Sequence, residues 1–106
     1  ERHEPRVQVE DGHRPAVLVV DVRPPHEYGI TALPHSLHMA WDTIRRDVQG
    51  ARTAIAQAAQ GRDVLVVCRR GNDSRAAVHL LDMPRCQNVR GGLRAYADKH
   101  PDFPMY

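Results

Sequence analysis

Two apolar runs, Ala16-Val17-Leu18-Val19-Val20 and Val64-Leu65-Val66-Val67, are too short for helices and carry no alternating polar residue. Both predict central strands buried on two faces, the signature of a parallel sheet. The first ends in Asp21-Val22-Arg23-Pro24-Pro25, where the prolines stop the strand and favour a short helical turn through His26, Glu27 and Tyr28. Upstream, Arg6-Val7-Gln8-Val9-Glu10 alternates and predicts a short edge strand, with a turn at Asp11-Gly12. From Gly29 to Ala40 loop residues give way to a brief apolar alternation, read as loop then short strand.

Helical spacing takes over next. Asp42 or Thr43 caps a short turn, and Asp47 to Gln60 is an alanine-rich amphipathic helix with Val48, Ala51, Ile55 and Ala58 or Ala59 on one face, stopped by Gly61. Ser74 to Leu81 has the same period and ends before Pro84. Asn88-Val89-Arg90 forms a last short strand, and Gly91-Gly92 turns the chain into a helix over Leu93 to Lys99. The Pro-rich ending His100 to Tyr106 runs over the surface. Strands alternating with helices predict an α/β fold: a mostly parallel central sheet of about five strands with helices on both faces. Functional groups then collect at the carboxyl ends of the strands, where Asp21, Arg23 and Cys68 fall.

Composition narrows the picture. The 106 residues suffice for one domain. With 42% hydrophobic residues and 5% aromatic, the core is aliphatic. A net charge of +2 gives no reason to expect direct nucleic-acid binding, and two cysteines cannot build a disulfide framework. No apolar run approaches the ~20 residues of a membrane span, and no signal-peptide pattern opens the sequence. The expected setting is reducing and cytoplasmic, away from membranes.

The chemistry centres on Cys68, at the junction of a buried strand and a helix. Arg69-Arg70-Gly71-Asn72-Asp73 supplies a glycine for tight curvature, two arginines beside the thiol, and N-cap residues in Asn72, Asp73 and Ser74. Such a loop turns several backbone N–H groups toward one atom. With the helix dipole they favour negative charge on Cys68 or on an anion bonded to it. Around it, roles divide. Asp21 accepts hydrogen bonds from the active loop or is solvated at its strand end. Arg23 faces an acidic substrate or pairs with Glu27. Asp73 repels anionic donors at the rim or caps the helix. Cys86 resolves a modified Cys68 or is a bystander. His35 and His38 have ligand-like spacing but no cysteine or acidic partner nearby in sequence, so no metal site is expected.

Asp21-Val22-Arg23 with Glu27-Tyr28, Leu33-Pro34-His35-Ser36, the six-residue loop Cys68 to Asp73, and Gly91-Gly92-Leu93-Arg94-Ala95-Tyr96 together resemble the successive motifs of a rhodanese-like domain. More narrowly, Cys68 to Ser74 and Phe103-Pro104-Met105-Tyr106 resemble the C-terminal sulfurtransferase domain of eukaryotic adenylyltransferase–sulfurtransferases. Tyr96 stands where many relatives place Trp, and the stretch Leu81 to Gln87 is short for the family.

The resemblance implies a single rhodanese-like domain over residues 1–106, excised from a larger protein with an N-terminal adenylating domain. It implies a persulfide on Cys68, with Arg69, Arg70, Gly71, Asn72, Asp73, Ser74 and Arg23 binding substrate and Asp21 supporting the loop. The outer sulfur would pass to the C-terminal glycine of a ubiquitin-like sulfur carrier, for tRNA thiolation or molybdopterin synthesis. A sulfur donor such as a cysteine desulfurase would load it. No cofactor is implied in this domain; ATP and zinc belong to the adenylating domain of full-length relatives. Two rivals remain. A cysteine-loop phosphatase needs an arginine six positions after the cysteine, where Ser74 stands and Arg75 is one residue late. A non-catalytic binding module of the same fold is the other.

Overall fold

The computed structural model describes residues 9–10 and 14–99, with side chains from 16 to 95. The chain opens on an antiparallel ladder of β1 (Val9–Glu10) with β2 (Arg14–Pro15). The edge strand expected over Arg6–Glu10 therefore differs: Val9 and Glu10 pair with Pro15 and Arg14 rather than with the main sheet. Pairing with a segment so near in sequence closes only a short loop, which costs less entropy than a distant partner. Arg6–Gln8, the Asp11-Gly12 turn and the ending His100–Tyr106 lie outside the described residues.

The main sheet is built on β3 (Val17–Asp21), followed by α1 (Pro25–Tyr28), β4 (Leu37–His38), α2 (Trp41–Arg46), α3 (Val48–Ala59), β5 (Asp63–Val67), α4 (Asn72–Leu81), β6 (Cys86–Asn88) and α5 (Gly92–Lys99). Its described strands number four, not about five, in the order β4-β3-β5-β6, all parallel. β3 and β5 pair from Val17 opposite Asp63 to Asp21 opposite Val67, so their carboxyl ends finish level. The last strand lies two residues upstream of the expected Asn88–Arg90, with Cys86 opposite Val64 and Asn88 opposite Val66.

Helix starts depart from the sequence reading in instructive ways. α2 begins at Trp41 with Ala40 as N-cap, and neither Asp42 nor Thr43 caps it. Met39 N–H donates to Asp21 O and Trp41 N–H to Val22 O, so chain pairing carries straight into the first turn. α3 does begin behind Asp47, whose carboxylate accepts from Gly50 N–H at 2.9 Å. It buries Ala51, Ile55 and Ala59, while Val48 and Ala58 are half-buried. Its left-handed terminal residue is Gln60, one before Gly61. α4 ends at left-handed Asp82, before Pro84 is reached.

Alternation along the strands divides the core. Leu18, Val20, Val64, Val66 and Cys68 share a cluster with Ile44 of α2, Ile55 of α3, and Ala77 and Leu81 of α4. Val19 and Val67 pack with Leu33 and Leu93 in a smaller second cluster. Helices thus cover both faces, and Cys68 belongs to the larger side.

Candidate active site

Cys68 directly follows β5 and is 3% exposed. Gly71, buried and at φ 96°, turns the chain so that its own N–H and that of Ser74 converge on the sulfur. Gly71 N–H donates to Cys68 Sγ at 3.0 Å and Ser74 N–H at 3.3 Å. These are orphan donors of a helix start, normally met by an N-cap side chain. Here the sulfur meets them. This explains why α4 begins two residues before the expected Ser74, with Gly71 as N-cap and without a side-chain cap from Asn72, Asp73 or Ser74.

Ser74, fully buried, also contacts the sulfur through its hydroxyl: Sγ donates to Ser74 Oγ at 3.2 Å, and Ser74 Oγ donates to Asn88 Oδ1. Ser74 therefore holds the sulfur through both its N–H and its hydroxyl. Asn88 was not a candidate in the sequence. Its one signal is a polar residue ending a strand next to the strand that delivers the cysteine.

The loop is clamped from outside. Leu93 N–H donates to Cys68 O and Arg94 N–H to Arg69 O, each at 2.8 Å, so the second and third N–H groups of α5 are spent on the cysteine loop. The backbones come close enough that a Cβ on Gly71 would lie 2.9 Å from Gly91 N.

Asp21 and Arg23 are 0% and 1% exposed, and they face each other. Asp21 accepts from Arg23 N–H at 3.0 Å, from Nε at 3.0 and 3.1 Å, and from Nη2 at 2.8 Å; Nη2 also donates to Thr31 O at 2.5 Å. The expected bond from Asp21 to the active loop is replaced by this pair. Arg23 likewise pairs with Asp21, not Glu27, because two buried charges two residues apart neutralise each other at the smallest cost in desolvation.

A pocket of about 240 Å³ opens over the sulfur, lined by Arg23, Pro24, Glu27, Cys68, Arg69, Arg70, Asn72 and Asp73. It gathers every predicted loop residue except Gly71 and Ser74, which lie beneath, and Asp21, which lies behind Arg23. Glu27 of α1 and Pro24, its N-cap, also line it, neither of them a site candidate from the sequence. Among the described residues the Asp73 side chain makes no hydrogen bond or ion pair, and its carboxylate stands exposed at the rim. The site is thus a buried sulfur under two backbone donors, reached through a charged opening.

A sequence profile of the rhodanese-like domain matches residues 7–99. The chain belongs to the rhodanese-like domain family. This rhodanese-like domain is 34% identical over 93 residues to adenylyltransferase and sulfurtransferase MOCS3-2 of Zea mays, covering 84% of the chain and 19% of that protein. It is 37% identical over 106 residues to adenylyltransferase and sulfurtransferase MOCS3 of Bos taurus, covering 84% of the chain and 23% of the relative. It therefore spans about a fifth of the length of these relatives, and is homologous to their sulfurtransferase domain. A rhodanese-related protein from Thermoplasma volcanium shares the fold with a TM-score of 0.65 at 24% identity, over 86% of this chain and 84% of that one.

The second cysteine of the rhodanese-like domain has no path to the first. Cys86 lies opposite Val64, four residues before Cys68, which places them about 13 Å apart along the sheet, beyond the ~7 Å Cα separation a disulfide tolerates. Burial pushes the Cys86 thiol above its ordinary value. The folded state then holds this proton more tightly than the unfolded one, a contribution fully present below the ordinary thiol value and lost as pH rises from there through the raised one. His38 stacks on Tyr28 with centroids 4.3 Å apart, and its Nε2 lies 2.8 Å from Arg23 O. It secures the turn that carries Arg23. Arg75 is exposed on α4, and Ser74, where a phosphatase would need arginine, is spent on the sulfur.

Proposed function

We propose that this domain is a sulfurtransferase in which Cys68 carries a persulfide. The observation that supports this reading most directly is the pair of N–H donors, from Gly71 and Ser74, on a buried Cys68 sulfur at the start of a ten-residue helix. Donors so placed favour an anionic sulfur. The Cys68 thiolate attacks the outer sulfur of a persulfide donor, the donor's S–S bond breaks, and its thiolate leaves. Cys68–S–S⁻ results, its terminal sulfur projecting into the pocket beside Arg69 and Arg70.

The acceptor in this reading is the adenylated C-terminal glycine of a ubiquitin-like carrier, supplied by an adenylating domain. The terminal sulfur attacks the acyl carbon, adenylate departs, and an acyl disulfide remains on Cys68. Release of the thiocarboxylate needs two electrons. A thiol from outside the domain attacks Cys68 Sγ and releases the thiocarboxylate, and a second thiol reduces the mixed disulfide left on Cys68, leaving as the outside disulfide; Cys86 is too distant to serve. The test is intact mass after incubation with a persulfide donor. The expected result is a gain of one sulfur, mapping to Cys68 and not to Cys86. No gain, or sulfur on Cys86, overturns the proposal and leaves a non-catalytic module of the same fold.

Asp73 shapes donor choice. Its unspent carboxylate at the rim repels a dianion such as thiosulfate more than a protein-borne persulfide. An exposed charge interaction is worth about 1 kcal/mol or less, roughly fivefold in rate. Asp73→Thr is therefore expected to raise thiosulfate-dependent sulfur transfer severalfold at low ionic strength, with a shallower dependence on salt. An unchanged rate would show that the carboxylate is invisible to the donor.

A further inference from the structure

The hydrogen bonds at Cys68 do not stop at Ser74. Cys68 Sγ donates to Ser74 Oγ at 3.2 Å, and Ser74 Oγ donates on to Asn88 Oδ1. Strand register places Asn88 for this: it stands opposite Val66, and Val89 N–H donates to Val66 O at 3.0 Å. Asn88 therefore shares the face of Val66, whose core cluster includes Cys68.

Direction is the informative property of this chain of bonds. A hydroxyl has one proton, so while Ser74 gives its proton to Asn88 it can only accept at the sulfur. That suits a thiol, which has a proton to give. It does not suit the anionic sulfur of the sulfurtransferase reading, because an oxygen lone pair would then face a negative charge. Asn88 resolves the conflict. Its amide carries an acceptor on one arm and donors on the other, and among the described residues the side chain makes no hydrogen bond except that with Ser74. Turning the amide over presents Nδ2 to Ser74 Oγ without breaking any other bond, and the hydroxyl proton is free to swing to Sγ.

We propose that Asn88 is a positioning residue that reverses the Ser74 hydrogen bond when the sulfur loses its proton to solvent. Ser74 Oγ then joins the N–H groups of Gly71 and Ser74 as a third donor to the anion. The thiol form runs from sulfur to serine to amide; the anionic form runs from amide to serine to sulfur. The same reversal serves when Cys68 attacks a donor and when it departs from a disulfide as thiolate. A carboxylate at this position would match the amide in shape and keep the bond from Ser74, yet it has no proton to return. The arrangement thus requires an amide and not merely a polar side chain. The inference rests on the sulfurtransferase reading for its purpose, but its measurement needs no sulfur donor.

The test is a double-mutant cycle read by the rate at which iodoacetamide alkylates Cys68 at neutral pH, located by peptide mass, with thiolate ultraviolet absorbance as a second readout. Asn88→Asp is expected to slow alkylation about tenfold when Ser74 is present, and by no more than about twofold in protein that also carries Ser74→Ala, where only repulsion by the new carboxylate remains. Thiolate absorbance should fall in the first background and hold in the second. Asn88→Ala, which adds no charge, should slow alkylation about threefold with Ser74 present and leave it unchanged in Ser74→Ala. This neutral pair decides the matter if Asn88→Asp fails to fold, and a melting curve for each variant separates lost fold from lost reactivity. Equal slowing in both backgrounds would show that position 88 acts by charge alone, and unchanged rates with Ser74 present would show that Asn88 only ties β6 to α4; either result overturns the inference. Failure of sulfur loading in the mass measurement, with the cycle as expected, would sink the catalytic reading and leave the reversal standing.

Discussion

Cys68→Ala protein is expected to take up no sulfur and to transfer none, a loss of at least about a thousandfold, because among the described residues no other thiol lines the pocket. The substitution does more than remove chemistry. Gly71 and Ser74 lose the acceptor of their N–H groups, and α4 loses its only N-terminal cap among the described residues. A lost cap costs about 1 kcal/mol, which lowers the melting temperature of a domain this size by ~5 °C. Cys68→Ser keeps an acceptor at the same place and should be equally inactive but nearer wild type in melting. Sulfur transfer by either variant would remove Cys68 from the mechanism; equal melting of Cys68→Ala and wild type would remove the sulfur from its structural role.

Gly92→Ala is expected to destabilise the domain by about 3 kcal/mol or more, combining a strained backbone with overpacking. Gly92 sits at φ 61°, a conformation alanine adopts at a cost. A Cβ there would collide with Cys68 O and lie 2.7 Å from the carbonyl carbon and oxygen of Arg69. Those carbonyls cannot yield without breaking the 2.8 Å bonds from Leu93 and Arg94 N–H. The loop must therefore shift, taking the sulfur off its donors. Urea unfolding measures the loss of stability, and sulfur loading of the residual folded fraction measures the damage to the site. A midpoint within error of wild type would show that the approach of α5 to the loop is looser than described.

Much of this architecture can be read from residues alone, and the boundary of legibility is physical. Val17–Val20 and Val64–Val67 declare buried parallel strands because an uninterrupted aliphatic run has few other uses. Cys68 and Gly71 between strand and helix declare a tight turn around a thiol. What a linear reading misses depends on register. Asn88 reaches Ser74 only because β6 pairs with β5 two residues upstream of its apparent place. Gly92 reads as half of a turn, and its contact with the active loop needs the packing of α5. The helix cap was sought among Asn72, Asp73 and Ser74 because propensity scales hold no place for a cysteine three residues upstream of the N-cap. Asp21 and Arg23 are legible as important, but whether a buried Asp–Arg pair faces substrate or itself is decided by three-dimensional proximity.

The clamp between α5 and the active loop bears on where such a domain can be cut or joined. The four described strands of the main sheet are complete by Asn88, and a boundary drawn after them would look safe. It would remove the N–H groups that hold the carbonyls of Cys68 and Arg69. The fragment would keep every residue of the reactive turn and lose the part that fixes its shape. In a shuffled or minimised version of this domain, α5 belongs with the cysteine loop it holds rather than with the packaging.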